Sequence, residues 1–133
     1  MISLLLYVTA LLEKKADRVY QEIAPEKDPI TNKKPEFPYV VYNFPPSSSP
    51  VPDRDDKILE IDVWDNIPDT TRLEQLTDSI DKSLNKLRHL EGDFFVIFQR
   101  LSKGSIPDPD PKIRRRQIRY LLKTYDRRLD NDI

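Results

Sequence analysis

Apolar and polar positions along the chain predict two helices and about four strands. The apolar run at residues 2–15 is denser than an amphipathic surface stripe and predicts a core helix. Residues 37–44 and 56–65 hold β-branched and aromatic side chains in strand-length runs, and each run predicts a strand. A shorter alternation at residues 17–23 predicts a short strand at best.

A second helix is predicted after Pro68. Thr71 and Glu74 have the spacing of a capping box, which predicts the helix start. His89 is expected at the C-terminal end of this helix, where a histidine complements the helix dipole. Apolar residues then recur at steps of three and four, as on one helix face: Leu73, Leu76, Ile80, Leu84 and Leu87.

The C-terminal part predicts two strands, residues 93–101 and 112–125, joined by a long hairpin loop at 102–111. Side-chain alternation assigns a core face to strand 56–65 and to the last strand: Leu59, Ile61, Val63, Ile118, Tyr120 and Leu122. We therefore predict an α+β fold, with a mostly antiparallel sheet of about four strands and two helices packed on one face.

The length of 133 residues fits one domain. We assign residues 1–126 to a single α+β domain and residues 127–133 to a polar C-terminal tail. The apolar start is shorter than the roughly 20 residues of a membrane-spanning helix. No basic residue precedes this run, whereas a signal peptide carries basic residues before its apolar region. We expect a soluble protein with no membrane contact.

Residue types that support catalysis are scarce. The chain has no cysteine, one histidine and two glycines. It therefore has no thiolate nucleophile, no second histidine to share a metal ion and no glycine-rich phosphate loop. These features predict a protein that is not an enzyme and that needs no metal or cofactor.

Charges are nearly balanced overall but segregated along the chain. Between Lys112 and Arg128 there are eight basic residues and one acidic residue, whereas residues 53–65 hold six acidic and two basic residues. Three explanations stay open: cross-strand pairing within one chain, complementary patches between subunits of a ring, and nucleic-acid binding by the arginines. The second explanation gives these interface candidates: Asp55, Asp56, Glu60, Asp62, Asp65, Arg114, Arg115, Arg116 and Arg119.

Eleven of the twelve prolines cluster in three connecting regions, residues 25–38, 45–52 and 107–111. Residues 45–52, Pro-Pro-Ser-Ser-Ser-Pro-Val-Pro, predict a stiff segment of polyproline type. Loops 25–36, 45–56 and 102–111 are long and polar, so they can become ordered on meeting a partner. The candidates for partner contact in these loops are Lys27, Asp28, Lys33, Lys34, Ser48, Asp108 and Asp110.

The order and spacing of these segments resemble the tail terminator (tail completion, head-to-tail joining) proteins of long-tailed bacteriophages. A leucine-rich N-terminal helix precedes the strand Pro-Tyr-Val-Val-Tyr at 38–42. An acidic strand follows and ends in Asp-Val-Trp-Asp at 62–65, with a helix close behind it. A strand pair then closes the domain, and its last strand contains the basic segment 114–120.

The resemblance implies a structural protein of the virion that caps the tail tube as a homo-oligomeric, hexameric ring and ends tube polymerisation. Its implied partners are the tail tube protein and the head connector or stopper protein. Assembly would occur in the host cytoplasm, and DNA passing through the lumen would meet non-specific contacts at most. A head-completion or connector protein is the alternative, and a nucleic-acid-binding accessory protein is a further one.

Overall fold

The computed structural model describes residues 2–46, 54–92 and 94–126. The predicted tail, the candidate Ser48 and most of the proline-rich segment lie outside these ranges. The described elements, in chain order, are α1 (Ile2–Glu13), β1 (Val19–Gln21), β2 (Tyr39–Asn43), β3 (Asp55–Asp65), α2 (Thr71–Leu84), β4 (Arg88–Glu91), β5 (Phe94–Ser105) and β6 (Arg114–Asp126).

The strands form one six-stranded sheet in the order β1-β2-β3-β6-β5-β4. β1 runs parallel to β2, and every other neighbouring pair is antiparallel. The sheet is mixed and curls as half of a barrel would. The α+β class is confirmed, but the prediction of about four strands in a mostly antiparallel sheet is wrong.

The two edge strands account for this error. Asn85 is extended (ψ 126°) and Lys86 is left-handed (φ 67°), so the chain leaves α2 and reverses direction. Residues 88–91 then pair with β5 as an edge strand, which corrects the prediction that His89 ends the helix. At the other edge, β1 has three residues, too few for a clear alternation, and pairs with β2 across a long loop.

Both helices pack on the same face of the sheet, where one core cluster forms. α1 contributes Leu4, Val8 and Leu12, which recur at every fourth residue, as one helix face requires. From α2 come Leu73, Ile80 and Leu84. The core-face prediction for the strands is confirmed, because all six predicted residues are fully buried: Leu59, Ile61, Val63, Ile118, Tyr120 and Leu122.

Helix α1 lies between the two ends of the curled sheet. The Thr9 and Tyr42 hydroxyl groups form a hydrogen bond, which ties α1 to β2. On the other side, the ring of Tyr7 stacks on His89 in β4, with ring centroids 3.7 Å apart. The single histidine thus has a packing role against α1, and α1 bridges strands that lie far apart in the sheet.

Strand β5 contains a bulge. Arg100 lies opposite Tyr120, but Ser102 lies opposite Arg119, so Leu101 is an extra residue without a partner in the ladder. As a result Arg100 and Lys103 both face α2, where their side-chain nitrogens lie 2.5 and 3.9 Å from Asp81. β5 also continues to Ser105, beyond the predicted end at residue 101.

The start of α2 differs from the predicted capping box. The Asp69 carboxylate accepts hydrogen bonds from the amide of Thr71 (2.9 Å) and from its hydroxyl (2.7 Å). These bonds lower the pKa of Asp69. Glu74 does not reach back to the helix start, because its carboxylate binds Arg116 of β6. An aspartate before the helix therefore performs the capping, and the predicted box is wrong.

Candidate protein-interaction surface

The sheet face opposite the helices, here the open face, brings the acidic and basic strands together. β3 and β6 are neighbours, and Glu60 lies opposite Arg119. The Arg119 and Glu60 side chains approach to 3.4 Å, and Arg115 lies 2.9 Å from the Asp62 carboxylate. The open face therefore carries ion pairs within one chain, as the cross-strand explanation requires.

The same pairing occurs between the sheet and α2. Asp65 is 1% exposed and accepts a hydrogen bond of 2.9 Å from Nε of Arg72. Burial alone would raise the pKa of Asp65, but the bonds from Arg72 and from the Asn66 amide outweigh burial and lower it. Arg116 binds Glu74 on the same side of the sheet.

The remaining interface candidates have local partners. Asp56 accepts a hydrogen bond of 2.6 Å from Arg54, and Lys57 pairs with Asp55. Arg114 donates to the carbonyl oxygen of Pro111 in the β5–β6 turn. Each interface candidate thus has a contact inside the subunit. That these residues contact a neighbouring subunit stays a prediction, and charge segregation alone does not support it.

Asp28 organises its own loop. One carboxylate oxygen accepts a hydrogen bond of 2.6 Å from the Tyr20 hydroxyl, and the other accepts the amides of Ile30 and Thr31. The bond from Tyr20, followed by that from Ile30, lowers the pKa of Asp28. Asp28 is 9% exposed. It therefore stabilises the loop that presents the exposed candidates Lys27, Lys33 and Lys34.

The two acidic candidates of the β5–β6 turn also have structural contacts. A carboxylate oxygen of Asp108 accepts the amide of Asp110, and one of Asp110 accepts the amide of Lys112, each at 2.9 Å. Burial and the nearby charge of Asp108 raise the pKa of Tyr39 on β2. The turn between β5 and β6 thus approaches the start of β2, where the loop before β2 also ends.

Three side chains from three strands form a row at this end of the open face. Tyr39 lies opposite Trp64, and Trp64 lies opposite Arg115. The Tyr39 and Trp64 rings stack with centroids 6.2 Å apart, and the Arg115 guanidinium lies 4.7 Å above the indole centroid. Stacked rings and a cation over an indole give this row a defined geometry.

Two adjoining cavities lie beside the row and share Ala24 and Tyr39 as lining residues. The larger, of about 550 Å³, is bordered by the loop before β2, with Pro25, Pro35 and Phe37 in its lining. The smaller, of about 360 Å³, lies over β2 and β3 and reaches Trp64 and Arg115. We call the two cavities together the aromatic groove.

Two buried polar atoms in the groove lining lack a hydrogen-bond partner among the described residues. They are the indole nitrogen Nε1 of Trp64, a donor, and the side-chain oxygen Oδ1 of Asn43, an acceptor. A buried polar group without a partner costs free energy. The groove thus contains an unsatisfied donor and an unsatisfied acceptor.

Sequence reasoning missed the aromatic groove. Tyr39, Trp64 and Arg115 belong to strands that are far apart in sequence, and they meet only through the register of β2, β3 and β6. The one available signal was that Trp64, in the strand 56–65, falls on the face away from the predicted core.

No protein-family model matches the chain, and no curated protein sequence matches it significantly. Within residues 2–46, 54–92 and 94–126, no cluster of three or more histidine, aspartate or glutamate side chains is placed to hold a metal ion. Neither described helix is long and apolar enough to cross a membrane.

Proposed function

We propose that this chain is a structural subunit of bacteriophage tail completion. In this role it caps the tail tube as a homo-oligomeric ring, ends tube polymerisation and forms the head-to-tail junction. Its partners are the tail tube protein on one side and the head connector or stopper protein on the other. It works through protein contacts, and any contact with DNA in the lumen is non-specific.

One observation carries the proposal: the subunit has two unlike ends. At one end, the loop before β2 and the β5–β6 turn border the row of Tyr39, Trp64 and Arg115. At the other end, β2 finishes at Asn43 and β3 extends past it to Asp55, with the proline-rich segment between them. A closed ring requires two different complementary surfaces on each subunit, and two unlike ends supply them.

The element order also supports the proposal, since it agrees with the segments that carry the resemblance. An N-terminal helix and a loop precede β2, and the acidic β3 is followed within six residues by α2. The domain then closes with the long β5–β6 pair. A rigid sheet with polar loops at its ends suits a protein that joins two larger assemblies.

The exposed side of α1 adds a further apolar surface. Ile2 is 75% exposed and Leu6 is 64% exposed, and they lie one helical turn apart. The inner side of the same helix is buried in the core. Apolar side chains on both sides of a helix favour a second packing partner over a solvent-exposed position.

The test compares particles made with and without the protein by electron microscopy. Without it, we expect tails of irregular length that do not join capsids, because nothing ends tube growth or docks the connector. Normal-length tails joined to capsids would contradict the proposal. Normal-length tails without capsids would instead favour the alternative of a head-completion protein.

A second measurement uses the purified chain. Native mass spectrometry, alone and with the tail tube protein, is expected to show a single ring stoichiometry. A broad series of stoichiometries would indicate open polymerisation in place of ring closure.

A further inference from the structure

We infer that the aromatic groove binds a proline-rich segment in extended polyproline form, and that the occupant is residues 45–52 of a neighbouring copy of this chain. The inference rests on the proposed function, since it names the contact that links one ring subunit to the next. Three observations support it: the residues that line the groove, the sequence of residues 45–52, and the distance along the sheet from the attachment points of that segment to the Tyr39–Trp64 row.

The lining suits proline rings. Phe37, Tyr39 and Trp64 supply aromatic faces at successive points along the groove, and the rings of Phe37 and Tyr39 have centroids 5.1 Å apart. Domains that recognise polyproline segments use aromatic-lined grooves of this kind, and the preformed ligand loses little conformational entropy on binding.

The hydrogen-bonding groups are complementary as well. A polyproline segment forms no internal hydrogen bonds, and proline has no N–H, so the segment offers many carbonyl acceptors and few donors. The groove offers donors: the unpaired indole N–H of Trp64, and the side chains of Lys27 and Lys34 at the other end. Serine hydroxyls between the prolines can supply the donor that Asn43 lacks.

A chain cannot place this segment on its own Tyr39–Trp64 row. The segment is attached through Phe44 after β2 and Arg54 before β3. A path from Phe44 to the row and back to Arg54 covers on the order of 50 Å of sheet, at about 3.3 Å per residue. The ten residue steps between Phe44 and Arg54 extend to about 36 Å at most.

The Tyr39–Trp64 row of the groove lies at the end of β2 and β3 away from Phe44 and Arg54, where the segment is attached, so a contact between row and segment joins two different surfaces. Each copy uses its groove for one neighbour and its segment for the other. Such a heterologous contact repeats from subunit to subunit and closes into a ring when the rotation allows.

The test uses Trp64 as a reporter, because it is the only tryptophan of the chain. The receptor is the full chain with its own segment altered by P45S, P46S, P50S and P52S, which leaves its groove unoccupied. The probe is a synthetic peptide of residues 43–54, which contains no tryptophan. The control is the same peptide with its four prolines changed to alanine.

We expect a saturable change in Trp64 fluorescence and a matching calorimetric isotherm, with the proline peptide binding at least about tenfold more tightly than its control. In the receptor, Tyr39→Ala should weaken binding by a similar factor. Ile30→Ala, in the loop before β2 but 92% exposed and outside the groove lining, should leave peptide binding unchanged. Equal binding of both peptides, or none at millimolar concentration, overturns the inference.

Self-association separates this inference from the proposed function. Sedimentation of the wild-type chain and of the four-proline variant should show at least about a tenfold weaker subunit affinity for the variant. If both form the same ring with equal affinity, the inference is wrong and the ring proposal stands. If the wild-type chain forms no ring but binds the peptide, the ring proposal is wrong and the groove remains a polyproline site.

Discussion

The hydroxyl of Tyr120 donates a hydrogen bond of 2.7 Å to a carboxylate oxygen of Asp81, joining β6 to α2 inside the core. Tyr120 is fully buried and Asp81 is 7% exposed. The second oxygen of Asp81 accepts a bond from Arg100 on β5. Burial, with the bond to Asp81, raises the pKa of Tyr120 far above its ordinary value, so the hydroxyl remains a donor. This contact fixes α2 over the sheet.

Replacing Tyr120 by phenylalanine should therefore destabilise the protein. The change keeps the ring but leaves a buried carboxylate oxygen without its donor, which costs about 1–3 kcal/mol of unfolding free energy. Urea denaturation followed by circular dichroism measures the loss. Ile30→Ala, at a 92% exposed position, serves as control and should change stability by less than about 0.5 kcal/mol. Equal midpoints for Tyr120→Phe and wild type would refute the role of this bond.

Removing the partner of Asp65 should produce a pH-dependent loss. Arg72→Gln removes the cation that donates to the buried carboxylate of Asp65, and we expect a lower free energy of unfolding at neutral pH. The native pKa of Asp65 is lowered below 3.8, so its contribution is present above that value and disappears as pH falls through the native pKa. The difference between wild type and variant should thus shrink in acid. A pH-independent difference would point to lost packing by the arginine stem.

The loop before β2 should have a titration of its own at alkaline pH. Burial, followed by the hydrogen bond to Asp28, raises the pKa of Tyr20 from 10.0 to about 12. Because the native value is higher than the unfolded one, the stabilisation is complete below pH 10 and is lost as pH rises through about 12. The difference in tyrosinate absorbance between wild type and Tyr20→Phe should have its midpoint near pH 12. A midpoint near 10 would show that the Asp28 bond is absent in solution.

Charge exchange should separate internal pairing from a subunit contact. Arg115→Asp places two carboxylates together on the open face and should lower stability by about 1–2 kcal/mol. The exchanged pair D62R/R115D should recover part of that loss, as measured in a urea-based double-mutant cycle. If Arg115→Asp keeps its unfolding midpoint but loses self-association, Arg115 belongs to an interface.

The helix start offers a matched pair of substitutions. Asp69→Ala removes the acceptor for both groups of Thr71 and should lower the thermal midpoint of unfolding. Thr70→Ala should cost less, because the Thr70 side chain forms no capping bond. Thermal unfolding of the two variants compares them directly. A larger loss for Thr70→Ala would contradict the assigned cap.

Periodicity was enough to predict part of the interior of this fold. The apolar faces of β3 and β6 follow simple spacings, and packing buries all six predicted residues. On the predicted helix face Leu73, Ile80 and Leu84 are buried, whereas Leu76 and Leu87 are only partly buried. The edge strand β4 was not predicted, and β1 was predicted only as a short strand at best, each for a physical reason. Leu87 continues the apolar spacing of α2, but the left-handed Lys86 has already ended the helix. β1 depends on a parallel pairing that no local pattern encodes.

The charged residues show a second limit of sequence reasoning. The acidic and basic clusters were visible, yet whether they pair within or between chains depends on which strands become neighbours. Placing β3 beside β6 decides that question for Asp62 and Arg115. The register of β2 and β3 brings Tyr39 and Trp64 into one row, although the local sequence around neither residue predicts that the two are neighbours.

The bulge at Leu101 has a consequence for variation in chain length. Loss of a single residue elsewhere in β5 would turn every following side chain to the opposite face, because side chains alternate along a strand. Loss of Leu101 would instead join Arg100 and Ser102 in unbroken register, and Lys103 would still point toward Asp78 and Asp81. We therefore expect a chain shortened at position 101 to keep the same fold, and natural relatives that differ by one residue in this strand to differ there.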